Sequence, residues 1–186
     1  MSKSWQWVKL EDVCDTTSGG TPSRNIATYY TGNIHWVKSG ELNDCSIYDT
    51  EEKITQEAVD NSSAKIFPSG TLLIALYGAT VGRLGVLKID AATNQAVCGI
   101  FTRENVDRDF LFYYLLKQRE ALIEKRTGGA QPNISQDVVR NLRIPLPPLP
   151  EQRRLAALLD KADRLRRLRR YALELSDTYL QSVFLV

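Results

Sequence analysis

The sequence predicts an α+β fold: a mixed α/β domain followed by one long helix. Three observations carry that prediction. Up to residue 144 the chain changes character every five to fifteen residues, alternating short β-rich runs with turns and amphipathic stretches. Four of its seven prolines then fall together in IPLPPLP, as Pro145, Pro147, Pro148 and Pro150. Beyond them no Gly or Pro occurs, and apolar residues recur with a helical period. The expected organisation is a domain over 1–144, a Pro-rich linker over 145–150 and a long helix over 151–186.

Each element has a local cause. Short strands are expected at Ile34–Val37, Thr71–Leu76, Val86–Ile89 and Val97–Thr102, each rich in apolar or β-branched residues and bounded by turn residues. Thr55–Asn61 reads as a short helix. Asp107–Arg126 reads as a longer one: Asp107 is a good N-cap, Phe110, Leu111, Tyr114, Leu115 and Leu122 share a face, and Gly128–Gly129 stop it. Ser135 can cap another short helix through Arg140. The proline run can be neither helix nor central strand and favours a stiff, extended connector.

In the last segment Leu155, Leu158, Ala162, Leu165, Leu168, Ala172, Leu175, Tyr179 and Val183 average 3.5 residues per step, the coiled-coil period. A helix from Glu151 to Phe184 would be roughly 50 Å long at 1.5 Å per residue, too long for so small a domain to cover. The stripe therefore calls for a partner helix, the first eight of these residues forming a dimer seam. The plainer alternative, a helix folded back on its own domain, is disfavoured by the proline spacer.

Composition excludes several classes. Hydrophobic residues are 43% and charged residues 25% of 186, which rules out wholesale disorder. The longest apolar run, Leu72 to Tyr77, is six residues, against roughly 20 for a membrane helix. The N-terminus lacks the apolar core of a signal peptide, so a cytoplasmic location is expected. Three scattered cysteines without a CxxC, and the single His35 inside a strand, argue against a disulfide framework, a zinc site or a Ser-His-Asp triad. There is neither a phosphate-binding GxxxxGK[ST] nor a GxGxxG fingerprint. Glu51-Glu52-Lys53 could mimic part of a nuclease site but reads better as a charged turn. Net charge is +2, yet all eight cations of residues 151–186 lie between Arg153 and Arg170, so one helical stretch is strongly basic.

Four polar, glycine-rich loops remain: Ser18–Arg24, Val37–Leu42, Leu76–Gly85 and Thr127–Ser135. They carry Thr21, Ser23, Arg24, Lys38, Tyr77, Thr80, Arg83, Gln131 and Asn133, with Gln95 just outside. Arg, Gln and Asn read base edges, while Lys, Ser and Thr contact phosphates. Any one loop alone would pass for an ordinary turn.

In order, the chain presents Trp5-x-x-x-x-Leu-x-x-Val, SGGTPS, Tyr30-x-Gly-x-Ile-x-Trp36, Gly70-Thr-Leu-Leu, Gly78-x-Thr-x-Gly82, Asn94-Gln95-Ala96, TGGAQPNIS, the IPLPPL run, Glu151-Gln152-Arg153 and a long helix. This series closely resembles the DNA-specificity (S) subunit of type I restriction–modification systems over essentially the whole chain. A local departure inserts Ala130 into the usual Gly-Gln-Pro-Asn string. The larger departure is length: family members usually hold two target-recognition domains and two conserved helices, so this chain looks like a half-subunit. The resemblance implies a non-catalytic role in a restriction system. The domain would recognise double-stranded DNA through the loop residues named above. The segment with Pro147, Pro148, Glu151, Gln152 and Arg153 would dock methyltransferase (M) subunits and, through them, the restriction (R) subunit. S-adenosylmethionine would be bound by the M subunit, with no cofactor or metal held by this chain. Two copies pairing through their helices would rebuild a whole S subunit as a homodimer. A binding module for some other ligand, joined to a coiled-coil dimeriser, stays open on the residues alone.

Overall fold

The computed structural model describes residues 5–124 and 133–184. Its centre is a five-stranded sheet in the order β2 (Cys14–Ser18), β10 (Val97–Thr102), β7 (Leu72–Ala75), β8 (Leu84–Leu87) and β4 (Cys45–Ile47). Against it lies a four-stranded sheet of β5 (Glu52–Ile54), β3 (Ile34–Val37), β9 (Ala91–Thr93) and β6 (Ile66–Phe67). The alternation of side chains along a strand explains the layering. On β7, Leu72 and Ile74 face the helices, while Leu73 and Ala75 face the second sheet. All four are wholly buried, so β7 reads as a continuous apolar run.

Helices close the outer face of the larger sheet: α1 (Leu10–Val13), α3 (Arg108–Glu124) and α4 (Gln136–Arg140). The other outer face, on the smaller sheet, is covered by α2 (Gln56–Asp60) and a short 3₁₀ turn at Ala27–Tyr30. The sheets approach closely where Gly99 faces Phe67. A Cβ on Gly99 would sit 2.8 Å from the ring, so only glycine fits. Three expected helices are present with their caps: Thr55 accepts from Ala58 N at 3.2 Å, Asp107 from Phe110 N at 2.9 Å, and Ser135 from Val138 N at 3.2 Å. Strand β8 starts two residues before its expected place, because its register is fixed by the hairpin with β7, Ile74 opposite Leu84. His35 lies in β3 with Nδ1 3.2 Å from both Thr50 Oγ1 and Asp49 Oδ1. Among the described residues all three cysteines are free thiols and no metal-ligating cluster occurs. No described helix is long and apolar enough to cross a membrane.

The proline run differs from the expected connector. Arg143–Leu146 forms β11, paired antiparallel with β1 (Gln6–Lys9), Trp7 opposite Pro145. Each strand of this ribbon is bonded on one side only, so the missing Pro145 N–H costs nothing on the open side. The long helix α5 then begins at Leu149 and runs to Phe184, about 54 Å at 1.5 Å per residue. The prolines do not hold it off the domain. Gln152 and Ala156 are buried, and the first half of α5 packs on α3.

Candidate nucleic-acid interface

Strand polarity gathers the polar loops. The C-terminal ends of β2, β3, β7 and β9 and the N-terminal ends of β4, β5, β8 and β10 meet at one end of the two sheets. The connections there are residues 19–24, 38–44, 76–83 and 94–96, with Asn133–Ser135 alongside. Tyr77 bridges to Asn133, Ile134 N donates to Leu76 O at 2.7 Å, and Thr21 Oγ1 bonds Gln95 Oε1 across two loops.

The Ser18–Arg24 loop is held by its backbone. A Cβ on Gly19 would fall 2.0 Å from Thr93 O, and one on Gly20 would fall 2.3 Å from Ser63. Trp36 Nε1 donates to Gly20 O at 3.1 Å and Tyr30 Oη to Pro22 O at 2.7 Å. Thr21 and Ser23 project to solvent. Arg24 lies over the rings of Tyr30 and Trp36, 4.2 and 5.0 Å from their centroids, with its fork on Glu52 at 2.6 and 3.3 Å. That hydrogen bond raises the Arg24 pKa and holds the Glu52 carboxyl below its ordinary range. Lys38 Nζ reaches Glu51 at 2.8 Å and Glu52 at 3.0 Å, and its pKa is raised by the same pairing. Two of the three expected loop cations are thus spent on neighbouring carboxylates.

Arg83 is different. It is exposed, it has no carboxylate within ion-pair distance among the described residues, and its Nη1 donates to Asn43 Oδ1 at 2.7 Å. Thr80 forms the turn beneath it, its carbonyl accepting from Arg83 N at 2.9 Å. Tyr77 is half-buried against the core, and burial raises its phenol pKa. Asn133 is exposed, and Gln131 lies outside the described residues. Asn43 and Asp44 are not among the residues the sequence singles out. Their signal was the Asn-Asp pair itself, two residues that favour tight turns: Asp44 adopts a left-handed φ of 58°.

Helix α5 has two faces. Gln152, Ala156, Asp163 and Arg167 turn toward the domain, while Leu158, Leu165 and Ala172 lie roughly opposite at 3.6 residues per turn, with Ala162 on the flank. Leu158, Leu165, Leu168, Leu175 and Tyr179 are between 54% and 68% exposed. Leu155 is half-buried at the domain's edge. Around this apolar strip Lys161, Arg164, Arg169 and Arg170 are exposed, none within ion-pair distance of a described carboxylate. The segment expected to dock M subunits is only partly accessible. Pro147 is buried, and Gln152 has no exposed surface, its amide being consumed by three hydrogen bonds to main-chain groups of the chain itself, which leaves Gln152 nothing to offer another protein. Pro148 and Arg153 are exposed, and Glu151 is half-buried, paired with Arg154 at 2.7 Å.

Residues 2–174 match the family described as the type I restriction modification DNA specificity domain. The chain belongs to that family. It is 32% identical to the MjaIX specificity subunit of Methanocaldococcus jannaschii over 88% of its own length and 39% of that protein's. To the EcoR124I/EcoR124II specificity subunit of Escherichia coli it is 27% identical, over 86% of this chain and 41% of that one. Its fold is similar to the HsdS subunit from Thermoanaerobacter tengcongensis, with a TM-score of 0.69 and 25% identity over 92% of this chain and 40% of that chain. A chain solved in a study of type I restriction–modification assembly and conformational transition is similar at a TM-score of 0.80 and 24% identity, over 98% of this chain and 44% of that one. This specificity-domain chain therefore spans about two fifths of the length of these relatives.

Proposed function

We propose that this chain reads one half of a bipartite DNA target through the loops at the shared end of its two sheets. It acts without catalysis of its own, docks methyltransferase subunits that bind S-adenosylmethionine, and pairs with a second copy through α5. The observation that carries this reading is the convergence of five polar segments from distant parts of the sequence on one end of a rigid double sheet, with Arg83 exposed among them. An arginine fork is the commonest reader of guanine edges. The specificity-domain family membership points the same way.

Pairing is supported by the exposed leucine strip on the face of α5 turned away from the domain. Leu159, Leu173, Leu180 and Phe184, 45% to 78% exposed, widen the apolar surface of the helix beyond one seam. That extra width supports an additional docked helix, and Pro148 and Arg153 at its base extend the surface available to an M subunit.

The test is selection from a random double-stranded DNA pool by the purified chain, with and without its M partner, followed by gel shifts. Recovery of a bipartite motif with inverted half-sites, and no methylation or cleavage by the chain alone with S-adenosylmethionine and magnesium, is the expected result. Failure to retain DNA in either form, or turnover by the isolated chain, would overturn the proposal.

A further inference from the structure

The recognition end and the long helix meet at one residue pair. Arg167 lies midway along α5, and its Nε is held by Asp163 at 2.6 Å. Its Nη2 reaches away from the helix and donates to the main-chain carbonyl of Asp44 at 2.7 Å. A groove of about 880 Å³ opens here between the helix and the edge of the larger sheet, and the Arg167 side chain crosses it. Beyond Arg167 no described residue of α5 makes a hydrogen bond or ion pair with the domain.

The far end of this strut is firmly built. Asp44 N donates to Leu84 O at 2.8 Å, and its carboxylate accepts from Leu84 N at 3.0 Å. Arg119 of α3 binds the same carboxylate and also donates to Gly82 O at 3.0 Å. The neighbouring Asn43 holds Arg83. One tight turn, locked to the 76–83 loop, therefore supports the exposed arginine on one side and the helix on the other.

We propose that Arg167 is a positioning residue that fixes the angle at which α5 leaves the domain, and so fixes the direction of the recognition end relative to the helix axis. This rests on the DNA-binding reading only for its consequence, since the angle is a property of the chain itself. In a two-copy assembly that angle sets how the two recognition ends are presented to a duplex, and so which separation of half-sites is accepted. With the strut gone, the next anchor back along the helix is Asp160, which accepts from Tyr113 Oη at 3.2 Å.

The experiment uses the full chain with Arg167→Gln, whose shorter amide cannot span the groove. Spin labels at Tyr48→Cys and Asp177→Cys, both exposed positions, in a Cys45→Ser background and diluted into unlabelled protein, report the domain-to-helix distance within one chain. Moving the pivot from residue 167 to 160 lengthens the arm to residue 177 from about 15 to about 26 Å, so the distance distribution should broaden roughly 1.7-fold. The melting temperature should stay put, because the lost contact is half-exposed. In DNA selection with the M partner, the half-sites should be unchanged while the spacer spreads to neighbouring lengths. An unchanged distance distribution, or a broadened one with an unchanged single spacer, overturns the inference. Absence of DNA binding by the unsubstituted chain would instead sink the function proposed above, leaving the distance measurement to decide the role of Arg167.

Discussion

Gln152 offers the sharpest test of how the helix is joined to the domain. Its side chain is wholly buried, and all three of its partners are main-chain groups. Asp107 N donates to Oε1 at 2.8 Å, while Nε2 donates to Asn105 O at 3.0 Å and Pro147 O at 2.8 Å. Gln152→Leu is close in size but satisfies none of them. At about 1 kcal/mol for each hydrogen bond lost, the variant should be destabilised by about 3 kcal/mol. A chain of this length loses about 2–4 °C of melting temperature per kcal/mol, so the expected fall is about 6–12 °C by calorimetry. Gln152→Glu adds a sign test. The new carboxyl would face two carbonyl oxygens, so the folded chain favours its protonated form and its folded pKa lies above the ordinary value of about 4.3. Stability is then retained below about pH 4.3 and lost as pH rises, at up to about 1.4 kcal/mol per pH unit until the folded pKa is reached. Relative to the parent chain, Gln152→Glu should melt closer at pH 5 than at pH 8. A Glu variant as stable as the parent at pH 8, or a Leu variant within about 2 °C of it, would refute the hydrogen-bonding argument.

Three further outcomes are expected. Leu165→Glu with Leu168→Glu, at positions 60% and 57% exposed in the single chain, should leave the domain's melting unchanged yet make the protein monomeric in sedimentation; a monomeric parent would remove the seam. Arg83→Ala should weaken binding to the selected sequence by about 1–3 kcal/mol while sparing random DNA; equal loss on both would mark a phosphate contact instead. Burial pushes the Cys14 and Cys98 thiols up to about 12, with Cys45 only half-buried, so thiol titration at pH 8 should find one fast cysteine in the native protein and three in denaturant. Three equal native rates would contradict the described packing.

The strands legible in the sequence were those whose own residues suffice. Ile34–Val37 and Val97–Thr102 are rich in β-branched or apolar residues, bounded by turns, and occur at those residues. Ala91–Thr93 and Glu52–Ile54 escaped because each is three residues long and owes its conformation to pairing with β3. Cys14–Ser18 is mostly polar and half-buried, and pairing with β10 holds it extended. The candidate site is legible as a set of loops, but which of its side chains are already paired is not. That Arg24 and Lys38 share Glu52 while Arg83 has only Asn43 depends on which loops the sheet order brings together. The proline run bars a central strand and is compatible with an extended edge strand, but nothing in its own residues names β1 as the partner. An edge ribbon bonded on one side needs no N–H donor at Pro145.

On the proposed reading, these differences in partnering divide this end of the sheets into frame and reader. Gly19 and Gly20 press their backbones against Thr93 and Ser63, Trp36 and Tyr30 bond the loop's carbonyls, and Arg24 is clamped between two rings and a carboxylate. None of these groups can reach outward without undoing the loop. Thr21, Ser23, Gln95, Arg83 and Asn133 stand on that frame with their side chains exposed. On the proposed reading, a frame fixed by backbone contacts allows the reading side chains to be exchanged without disturbing the fold. Sequence preference can then change at Thr21, Ser23, Gln95 or Arg83, while the glycines and the Asp44 turn stay under steric constraint. The same frame ends in the Asp44 turn that receives Arg167, so on that reading an exchange at Thr21, Ser23 or Gln95, none of which bonds to this turn, leaves the strut in place. On the proposed reading, half-site identity and half-site separation would then rest on different residues of the same chain, the loop side chains and Arg167 of α5.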